Sequence, residues 1–520
     1  GDIPGAVLSN GNHTLMIPKE AITGERLYLY GGMGDDTLTV DFAMGNPILA
    51  GGLTFEGGSQ NNTNPGDGIV LLGGAVENVD YEFINEHDGS IRVDGKLLTY
   101  TGLEPVTDNL DAANRSFTFT GAAETVTIGD VGGADGQTRI NSTLGELVDF
   151  AVPTASLTVI VNGGDTVAIN GFDAAFNTPL ISLQGTTSAN AYNLGGSNVI
   201  PDVSNLSLTG NANFSLNGFS ETIGSLASTD AVPTVALSAG QSLTVGNATN
   251  TAFSGVISGG GNLTKVGTGT QSLSGANTFT GLIAINGGAL SIVADNNLGA
   301  APGAAVANAI TMNGGTLATT NPAAITINAN RGITLAGPGG INVNNAIGVG
   351  VTYNGTIAGA FPFTKSGLGD LVWGTAAVAH GFSNLTIANG RLFMNSQTNV
   401  GGAAVPITIG AGGTMAYNNT PNVDLTLANP ITVQSGGNIS NRRNAGTGLT
   451  LSGPLTLPTS GTIYFNLDDA TTGVLNITNA ANVINATGDL TFQIGLDGHG
   501  TGIPLVVTTA SGIGQVNLNH

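Results

Sequence analysis

The pattern of apolar and polar residues is most regular between residues 255 and 299, where short apolar segments alternate with clusters of Gly, Asn and Ser. Short apolar runs bounded by turn-forming residues are typical of β-strands. No stripe of apolar residues recurs at the 3.6-residue spacing of a helix. We therefore predict a succession of strands and turns, without helix, over this stretch.

The same pattern returns at residues 355–401, so the chain contains an internal repeat. Leu263-Thr264-Lys265 in the first copy corresponds to Phe363-Thr364-Lys365 in the second, and the offset stays near 100 residues further along the chain. A long period built from many short strands indicates a repeat architecture. We expect each unit of about 100 residues to form several turns of a coil and not one compact domain.

The residues Gly261–Thr270 (GNLTKVGTGT) and Asn277–Gly281 (NTFTG) carry a motif that resembles the autotransporter-associated β-strand repeat. This repeat occurs in autotransporter passenger domains and in large secreted repeat proteins of bacteria. The resemblance is specific over 255–299 and extends over 255–453, although the second copy lacks the Asn-Thr-Phe-Thr-Gly part. It implies a right-handed parallel β-helix at the cell surface. It also implies no enzymatic activity, because these repeats are scaffold.

The composition agrees with a β-solenoid. The chain has 520 residues, of which 82 are Gly and only 9% are charged, whereas 41% are hydrophobic. Disordered chains are rich in charge and poor in apolar residues, which is the opposite balance. A solenoid needs stacked small and β-branched residues in its core and Gly, Asn and Asp at its corners. We predict an all-β chain.

Charge divides the chain into parts, because 22 of the 34 acidic residues precede residue 150. We predict an acidic, β-rich N-terminal module at 1–120 and a β-rich, solenoid-like segment at 121–254. Two β-helix repeats of about 100 residues fill 255–453, and a β-rich C-terminal segment occupies 454–520. Within the N-terminal module, Val93-Asp94-Gly95-Lys96 predicts a hairpin with an Asp-Gly turn.

The formal net charge of −22 argues against nucleic acid and against anionic membrane surfaces as partners. No run approaches 18 apolar residues, so we expect no transmembrane helix. The absence of Cys removes disulfide stapling, which suits a passenger that crosses a membrane unfolded, as the resemblance implies. No signal-peptide pattern is visible, and we expect a mature or truncated piece of an exported, extracellular or cell-surface protein.

Residues 31–39 (GGMGDDTLT) match the nonapeptide of the calcium-binding β-roll. The glycines allow a sharp turn, and a carboxylate supplies the hard oxygen ligand that Ca²⁺ prefers. The candidate metal-binding residues are Gly32, Gly34, Asp35 and Asp36. One copy makes only half of a roll site, and weaker echoes lie at Gly57–Gly58 with Gly66–Asp67 and at Gly163–Asp165. The alternative interpretation is a turn between two strands.

The densest acidic cluster comprises Asp80, Glu82, Glu86, His87 and Asp88. Two of these acids flanking a sugar would suit a carbohydrate-active β-helix enzyme. The alternative is a solvated loop. No two histidines stand at metal-ligand spacing, and no Gly-x-Ser-x-Gly elbow or phosphate-binding loop is present. The lone Trp373 takes the place of Leu273 in the repeat, which favours a core position over a carbohydrate platform.

These observations favour a non-enzymatic structural protein of the cell surface. We expect a stiff β-solenoid that self-assembles into a filament or lattice or serves as an adhesin, with other copies, surface proteins or glycans as partners. The alternative is a carbohydrate-active β-helix lyase or glycoside hydrolase, which the scarcity of acids in the repeats disfavours. A calcium-dependent toxin or protease accessory segment would need many tandem nonapeptides.

Overall fold

The structure, a computed structural model, describes residues 7–9, 14–16, 22, 26–59, 66–119, 121–187, 190–374, 378–418, 424–442, 448–467, 474–477 and 490–496. The chain forms two compact units. The N-terminal unit comprises residues 1–243 and 253–256, and the C-terminal unit comprises residues 244–252 and 257–520.

The described residues form strands, turns and two short 3-10 helices, with no α-helix among them. Neighbouring strands pair mostly in parallel, and each turn of the chain stacks on the one before it. The predicted all-β β-solenoid is therefore confirmed. No helix within the described residues has the length and apolarity needed to cross a membrane.

The strands of the N-terminal unit are mostly three to seven residues long, with two long exceptions, β6 and β9. They are β1 Val7–Ser9, β2 Thr14–Met16, β3 Leu27–Met33, β4 Thr37–Asp41, β5 Leu53–Ser59, β6 Gly68–Phe83, β7 Gly89–Val93, β8 Lys96–Thr101, β9 Val106–Phe119, β10 Thr125–Asp130, β11 Gln137–Ser142, β12 Val148–Ala151, β13 Ser156–Val161, β14 Thr166–Ile169, β15 Leu180–Gly185, β16 Ala191–Leu194, β17 Asn205–Gly210, β18 Asn213–Ser215, β19 Glu221–Ile223, β20 Ser225–Ala227 and β21 Thr234–Leu237. The next three strands are β22 Ser242–Val245, β23 Thr251–Phe253 and β24 Val256–Gly259.

Parallel pairing builds the N-terminal unit coil by coil. One series runs through β9, β13, β15, β17 and β20, and another through β10, β14, β16, β18 and β21. Nearer the N-terminus β3 pairs with β5 and β4 with β6. Two strands interrupt this order with antiparallel pairing, since β7 lies between β6 and β8, and β11 lies between β10 and β12.

The predicted hairpin is one of these insertions. Val93 at the end of β7 pairs with Lys96 at the start of β8. Asp94 and Gly95 have φ of 50° and 78°, as a two-residue type I′ turn requires. The hairpin prediction is confirmed.

Alternation along each strand places every second side chain inside. In the N-terminal unit the inward side chains of β6 and β9 form an aromatic stack. Tyr81 and Phe117 lie 4.8 Å apart between ring centroids, and Phe83 and Phe119 lie 4.9 Å apart. Phe150 of β12 extends the stack at 4.9 Å from Phe117. Stacked rings at this spacing reflect the parallel register of successive coils.

The strands of the C-terminal unit are short except for β38 and β39. They are β25 Asn262–Lys265, β26 Thr270–Leu273, β27 Ile283–Ile285, β28 Ala289–Ile292, β29 Val306–Met312, β30 Thr316–Thr319, β31 Ile325–Ile327, β32 Arg331–Leu335, β33 Gly339–Val343, β34 Gly350–Tyr353, β35 Ile357–Ala358, β36 Pro362–Ser366, β37 Asp370–Trp373, β38 Asn384–Met394, β39 Ile407–Asn418, β40 Leu425–Leu427, β41 Ile431–Val433, β42 Asn438–Arg442, β43 Gly448–Leu451, β44 Leu455–Thr456, β45 Gly461–Leu467, β46 Val474–Ile477 and β47 Leu490–Leu496. The 3-10 helices are η1 Asp295–Leu298 and η2 Gln397–Val400.

All strand pairs given for the described part of this unit are parallel. One series runs through β25, β27, β29, β32 and β35, and its inward positions form a buried aliphatic column of Leu263, Ile283, Ile310, Ile333 and Ile357. Equivalent positions stand 20 residues apart in the shortest coils and 27 in longer ones. Each coil buries its apolar side chains only against its neighbours, as expected of a solenoid. Much of the predicted segment 454–520 lies outside the described residues.

Candidate functional site

The four predicted calcium-binding residues lie at the corner between β3 and β4. Gly32 and Gly34 have φ of 104° and 125°, a conformation that favours glycine. Asp35 is exposed, whereas Asp36 is half-buried. The two aspartates therefore differ, and only the second turns its carboxylate toward the protein.

The first of the weaker echoes of this motif lies directly against it in the next coil. Gly32 pairs with Gly58, and Thr37 pairs with Gly68, so Asp36 stacks on Asp67. The Asp36 amide donates a hydrogen bond of 2.6 Å to Asp67 Oδ1. Asp67 is fully buried, and no donor in the described part of the chain reaches the Oδ2 atom of either aspartate.

Glycine at the facing strand ends makes room for these carboxylates. A Cβ atom on Gly31 would lie 2.8 Å from Asp36 Oδ2, and a Cβ atom on Gly57 would overlap the Asp67 carboxylate. The Gly-Gly pairs that match the nonapeptide therefore have a packing role at this corner, whether or not a cation binds.

The column of acids continues through two more coils. The register of β6, β9 and β12 places Glu104 next to Asp67 and Glu146 next to Glu104. Burial, together with the nearby charges of Glu104, Asp88 and Glu86, raises the pKa of Glu146 to about 9. Glu146 therefore holds a proton at neutral pH. Each of these acids stands one or two residues before a strand, which is a signal that the sequence contains. The alignment of the acids from coil to coil depends on coil length, which the sequence does not reveal.

The second echo, Gly163–Asp165, does not join this column. Asp165 accepts hydrogen bonds from the Glu124 amide at 3.1 Å and from the Asn162 amide at 2.7 Å, so backbone donors satisfy it. Burial raises the pKa of the neighbouring Glu124 to about 7, with a contribution from the Asp165 charge. The Ser142 hydroxyl donates to the Glu124 carboxylate. These acids stabilise a corner.

The acidic cluster at residues 80–88 divides between a strand and a loop. Asp80 and Glu82 are exposed on β6, and Asp80 accepts a hydrogen bond of 2.6 Å from the Ser116 hydroxyl. In the loop, Asp88 accepts from the Gly102 amide at 3.2 Å and from the Asn85 side chain at 2.8 Å. These contacts favour the interpretation of a hydrogen-bonded loop over that of a paired-carboxylate active site.

The two lysines aligned in the repeats have the same structural role. Lys365 is fully buried, and its Nζ donates to the carbonyls of Ser366, Gly367 and Asn389 at 2.7 to 2.9 Å. Lys265 contacts the equivalent carbonyls in its own copy, including that of Val266. Burial lowers the pKa of Lys365 to about 8. Each lysine joins two successive coils at a corner.

Asparagines of the first repeat also join successive coils. Asn277 accepts from the Ile257 amide at 2.7 Å and donates to the Asn297 carbonyl at 2.6 Å, and Asn297 donates to the Gly275 carbonyl at 2.8 Å. These asparagines therefore stabilise the stacking of coils through hydrogen bonds between side chains and backbone. Trp373 is 1% exposed, so its predicted core position is confirmed.

The part of the C-terminal unit that the structure describes has a nearly neutral exterior. Its charged side chains are mostly withdrawn from solvent, because Asp295 pairs with Arg331 at 3.1 Å and Asp370 pairs with Arg391 at 2.6 Å. Among the described charged side chains of this unit, Asp424 is the exposed one, and it accepts the Gly448 amide at 2.6 Å. The rest of the described surface is largely uncharged and includes exposed apolar side chains such as Ile347 and Leu368.

Threonines form a ladder on this neutral surface. The outward positions of β36, β38, β39, β41 and β44 are paired in register from coil to coil, and they are Thr364, Thr386, Thr408, Thr432 and Thr456. Adjacent parallel strands stand about 4.8 Å apart, so the hydroxyls repeat at about that interval. We call these five residues the threonine ladder.

Comparison with known proteins agrees with this architecture. Residues 263–292 match the passenger-associated-transport-repeat, and this stretch covers β25 to β28 with their corner lysine and asparagines. The chain is also similar to the adhesin BmaC autotransporter of Brucella suis biovar 1 (strain 1330), with 33% identity over 159 residues. That alignment covers 29% of this chain and 4% of the relative's length. No solved structure matches the chain.

The match at residues 263–292 implies secretion to the cell surface, because the repeat is associated with autotransporter passengers. The resemblance inferred from the sequence motif is confirmed. The chain is a β-solenoid that carries a passenger-associated transport repeat and is distantly related to an autotransporter adhesin.

Proposed function

We propose that this chain is a segment of a secreted autotransporter passenger that acts at the cell surface as a non-enzymatic adhesive scaffold. The observation that carries the proposal is the nearly neutral exterior of the described part of the C-terminal unit, with the threonine ladder at outward positions of successive coils, half-buried at Thr364, Thr386 and Thr408 and exposed at Thr432 and Thr456. The name of the related protein, an adhesin, supports the same direction.

A neutral, hydroxyl-bearing surface suits an uncharged extended ligand such as a glycan chain. Each threonine offers one hydroxyl donor and acceptor beside a methyl group, which matches the mixed polar and apolar faces of sugars. Single contacts of this kind are weak, but a ladder repeats them along the coil axis, so a long ligand gains from many at once. Such a surface does not depend on long-range charge attraction.

The acids of the N-terminal unit support a scaffold more than an enzyme. Asp67 and Glu146 are buried at a stacked corner, and Asp165 is bonded to backbone amides. The calcium prediction at Gly32, Gly34, Asp35 and Asp36 stays a prediction, and the buried Oδ2 atoms of Asp36 and Asp67 support it. Self-assembly into a filament also stays a prediction.

Adhesion tests the proposal directly. Beads coated with the purified chain should bind epithelial cells or a glycan array. The substitutions Thr408→Lys and Thr432→Lys together should lower this binding at least about tenfold, because the contact would have to bury and desolvate two ammonium groups. The matched control is Thr311→Lys with Thr334→Lys, which places the same charges on outward positions of β29 and β32.

The control variant should bind like the unchanged chain. Equal binding by both variants would show that the threonine ladder is not the adhesive surface. If the unchanged chain binds neither cells nor glycans, the proposal of adhesion is wrong. Light scattering of the same samples separates adhesion from self-association, since concentration-dependent growth of the particles would favour the filament prediction.

A further inference from the structure

We propose that Asp130, Asp135 and Asp173 form a binding site for a divalent cation, Ca²⁺ foremost. One carboxylate oxygen from each residue lies within 4.8 Å of the oxygens of the other two. Oxygens bound to one Ca²⁺ at 2.3–2.6 Å stand at most about 5 Å apart, so a single ion fits among them. The site lies in the N-terminal unit, well separated in sequence from the corner at Asp36.

Two elements bring the three residues together. Asp130 ends β10, and Asp135 lies in the turn that leads into β11, so both belong to the antiparallel insertion of β10 and β11. Asp173 follows β14, which pairs in parallel with β10 from the next coil. The site therefore joins the inserted hairpin to the adjacent coil of the solenoid.

The Asp173 carboxylate is the observation that points to a ligand. Asp173 is 2% exposed, and no donor in the described part of the chain reaches its Oδ2 atom, while Oδ1 accepts the Ala175 amide at 2.6 Å. Its own amide donates to Thr138 Oγ1 at 3.2 Å, which fixes the residue against β11. A buried carboxylate oxygen without a donor costs free energy that a bound cation would recover.

Charge at the site favours a cation. Three carboxylates within 4.8 Å repel one another, and in the described part of the chain no Lys, Arg or His nitrogen pairs with them within 4.0 Å. The arginine of the same hairpin, Arg139, is bound to Asp149 by two hydrogen bonds of 2.6 and 2.8 Å. A divalent ion is therefore the group that matches the excess negative charge.

The donor set indicates which ion. All three side chains offer hard oxygens, which suit Ca²⁺ and Mg²⁺, whereas Zn²⁺ favours nitrogen and sulfur ligands. Asp130 and Asp135 are exposed, and in the described part of the chain no atom beyond the adjoining residues lies within 4 Å of a Cβ position on Gly132 or Gly133 between them, so the turn is open to water. Ca²⁺ accepts six to eight oxygens in flexible geometry, while Mg²⁺ requires a stricter octahedron.

Calcium titration of the EDTA-treated full chain by calorimetry tests the site. The unchanged chain should bind Ca²⁺, and Ca²⁺ should raise its melting temperature because the ion binds only the folded hairpin. The substitutions Asp130→Asn with Asp135→Asn keep both exposed side chains nearly isosteric, so folding should persist. This variant should lose at least about tenfold in affinity and most of the thermal shift, since two of three anionic ligands are removed.

Two control variants make the result specific. Asp80→Asn with Glu82→Gln removes two exposed acids elsewhere in the unit and should leave calcium affinity unchanged. Asp36→Asn with Asp67→Asn disables the other candidate corner and should also retain the binding. The proposal is wrong if the unchanged chain binds no Ca²⁺ at millimolar concentration, if Asp130→Asn with Asp135→Asn binds normally, or if only the Asp36 and Asp67 substitutions abolish binding.

Discussion

At the scale of single residues, the N-terminal unit contains a fully buried ion pair, Arg115 with Asp108. Arg115 contacts Asp108 through two hydrogen bonds of 2.9 and 3.0 Å, and it also donates to the Leu110 carbonyl at 2.7 Å. The Tyr81 hydroxyl donates to the same carboxylate at 2.9 Å. Asp108 and Arg115 both lie on β9, and the hydrogen bond from Tyr81 joins the pair to β6.

Removing one member of this pair should be costly. Arg115→Ala leaves a buried carboxylate with only neutral donors, the Tyr81 hydroxyl and the Leu110 amide, and we expect a loss of about 3–5 kcal/mol in unfolding free energy. The double variant Asp108→Asn with Arg115→Met keeps the Tyr81 hydrogen bond without charge and should lose less. Urea denaturation followed by circular dichroism measures both, and equal losses would contradict a penalty from unpaired charge.

Buried carboxyl groups give the chain a pH dependence of defined sign. The pKa of Glu146 is about 9 in the folded chain against an ordinary value of 4.5, and that of Glu124 is about 7. Between the unfolded and folded pKa values the folded state keeps a proton that the unfolded state releases. The unfolding free energy therefore falls as the pH rises from 4.5 toward 9.

Melting temperatures measure this dependence. The chain should melt at a higher temperature near pH 5 than near pH 9. The contribution of Glu146 alone to the difference in unfolding free energy between these pH values is on the order of a few kcal/mol. Glu146→Gln should flatten the profile, whereas Glu82→Gln, at an exposed position on β6, should leave it unchanged. A profile that rises with pH would contradict the protonated state of Glu146.

At the scale of elements, glycines permit the close approach of successive coils in the passenger-associated repeat. A Cβ atom on Gly281 would overlap the Gly261 carbonyl of the preceding coil, and one on Gly269 would overlap the Thr249 carbonyl. Neither glycine has a positive φ, so the constraint is the space between the coils.

Substitution of Gly281 by Ala tests this constraint. The added methyl group must displace a backbone carbonyl, and we expect a loss of about 1–3 kcal/mol in unfolding free energy. Gly303→Ala is the matched control, because the space around that Cβ position is open and its φ is not positive. Trp373 fluorescence follows the unfolding of the C-terminal unit. A neutral Gly281→Ala substitution would show that the coils can separate at this corner.

The elements were predictable where the pattern is local. The alternation of apolar and polar residues predicted strands such as β25 and β26, and the Asp94-Gly95 pair predicted the hairpin of β7 and β8. The alignment of Trp373 with Leu273 predicted a core position for the tryptophan. The stacking of Asp36 on Asp67 could not be predicted in the same way, because it depends on their separation of 31 positions, and coil length varies along the chain. The site at Asp130, Asp135 and Asp173 could not be predicted for the same reason. It requires β14 to pair with β10, and the inserted hairpin between these strands makes the length of that coil unpredictable from the sequence.

At the scale of the whole molecule, acidic residues are concentrated before residue 150, and the described exterior of the C-terminal unit carries almost no charge. If the threonine ladder makes the adhesive contact, raising the salt concentration should change adhesion less than about twofold, because screening acts on exposed charges. Bead adhesion at low and high salt measures this. A steep loss with salt would assign adhesion to the acidic N-terminal unit.

The unequal coils have a consequence for how such chains change over evolutionary time. Where successive coils present the same column to each other, as the aligned Ile283, Ile310 and Ile333 do, gain or loss of one whole coil would let the remaining positions meet in the same register. Gene duplication can therefore lengthen the protein in discrete steps without redesign of its interior. A much longer relative that shares only a short stretch with this chain is the outcome such growth would produce.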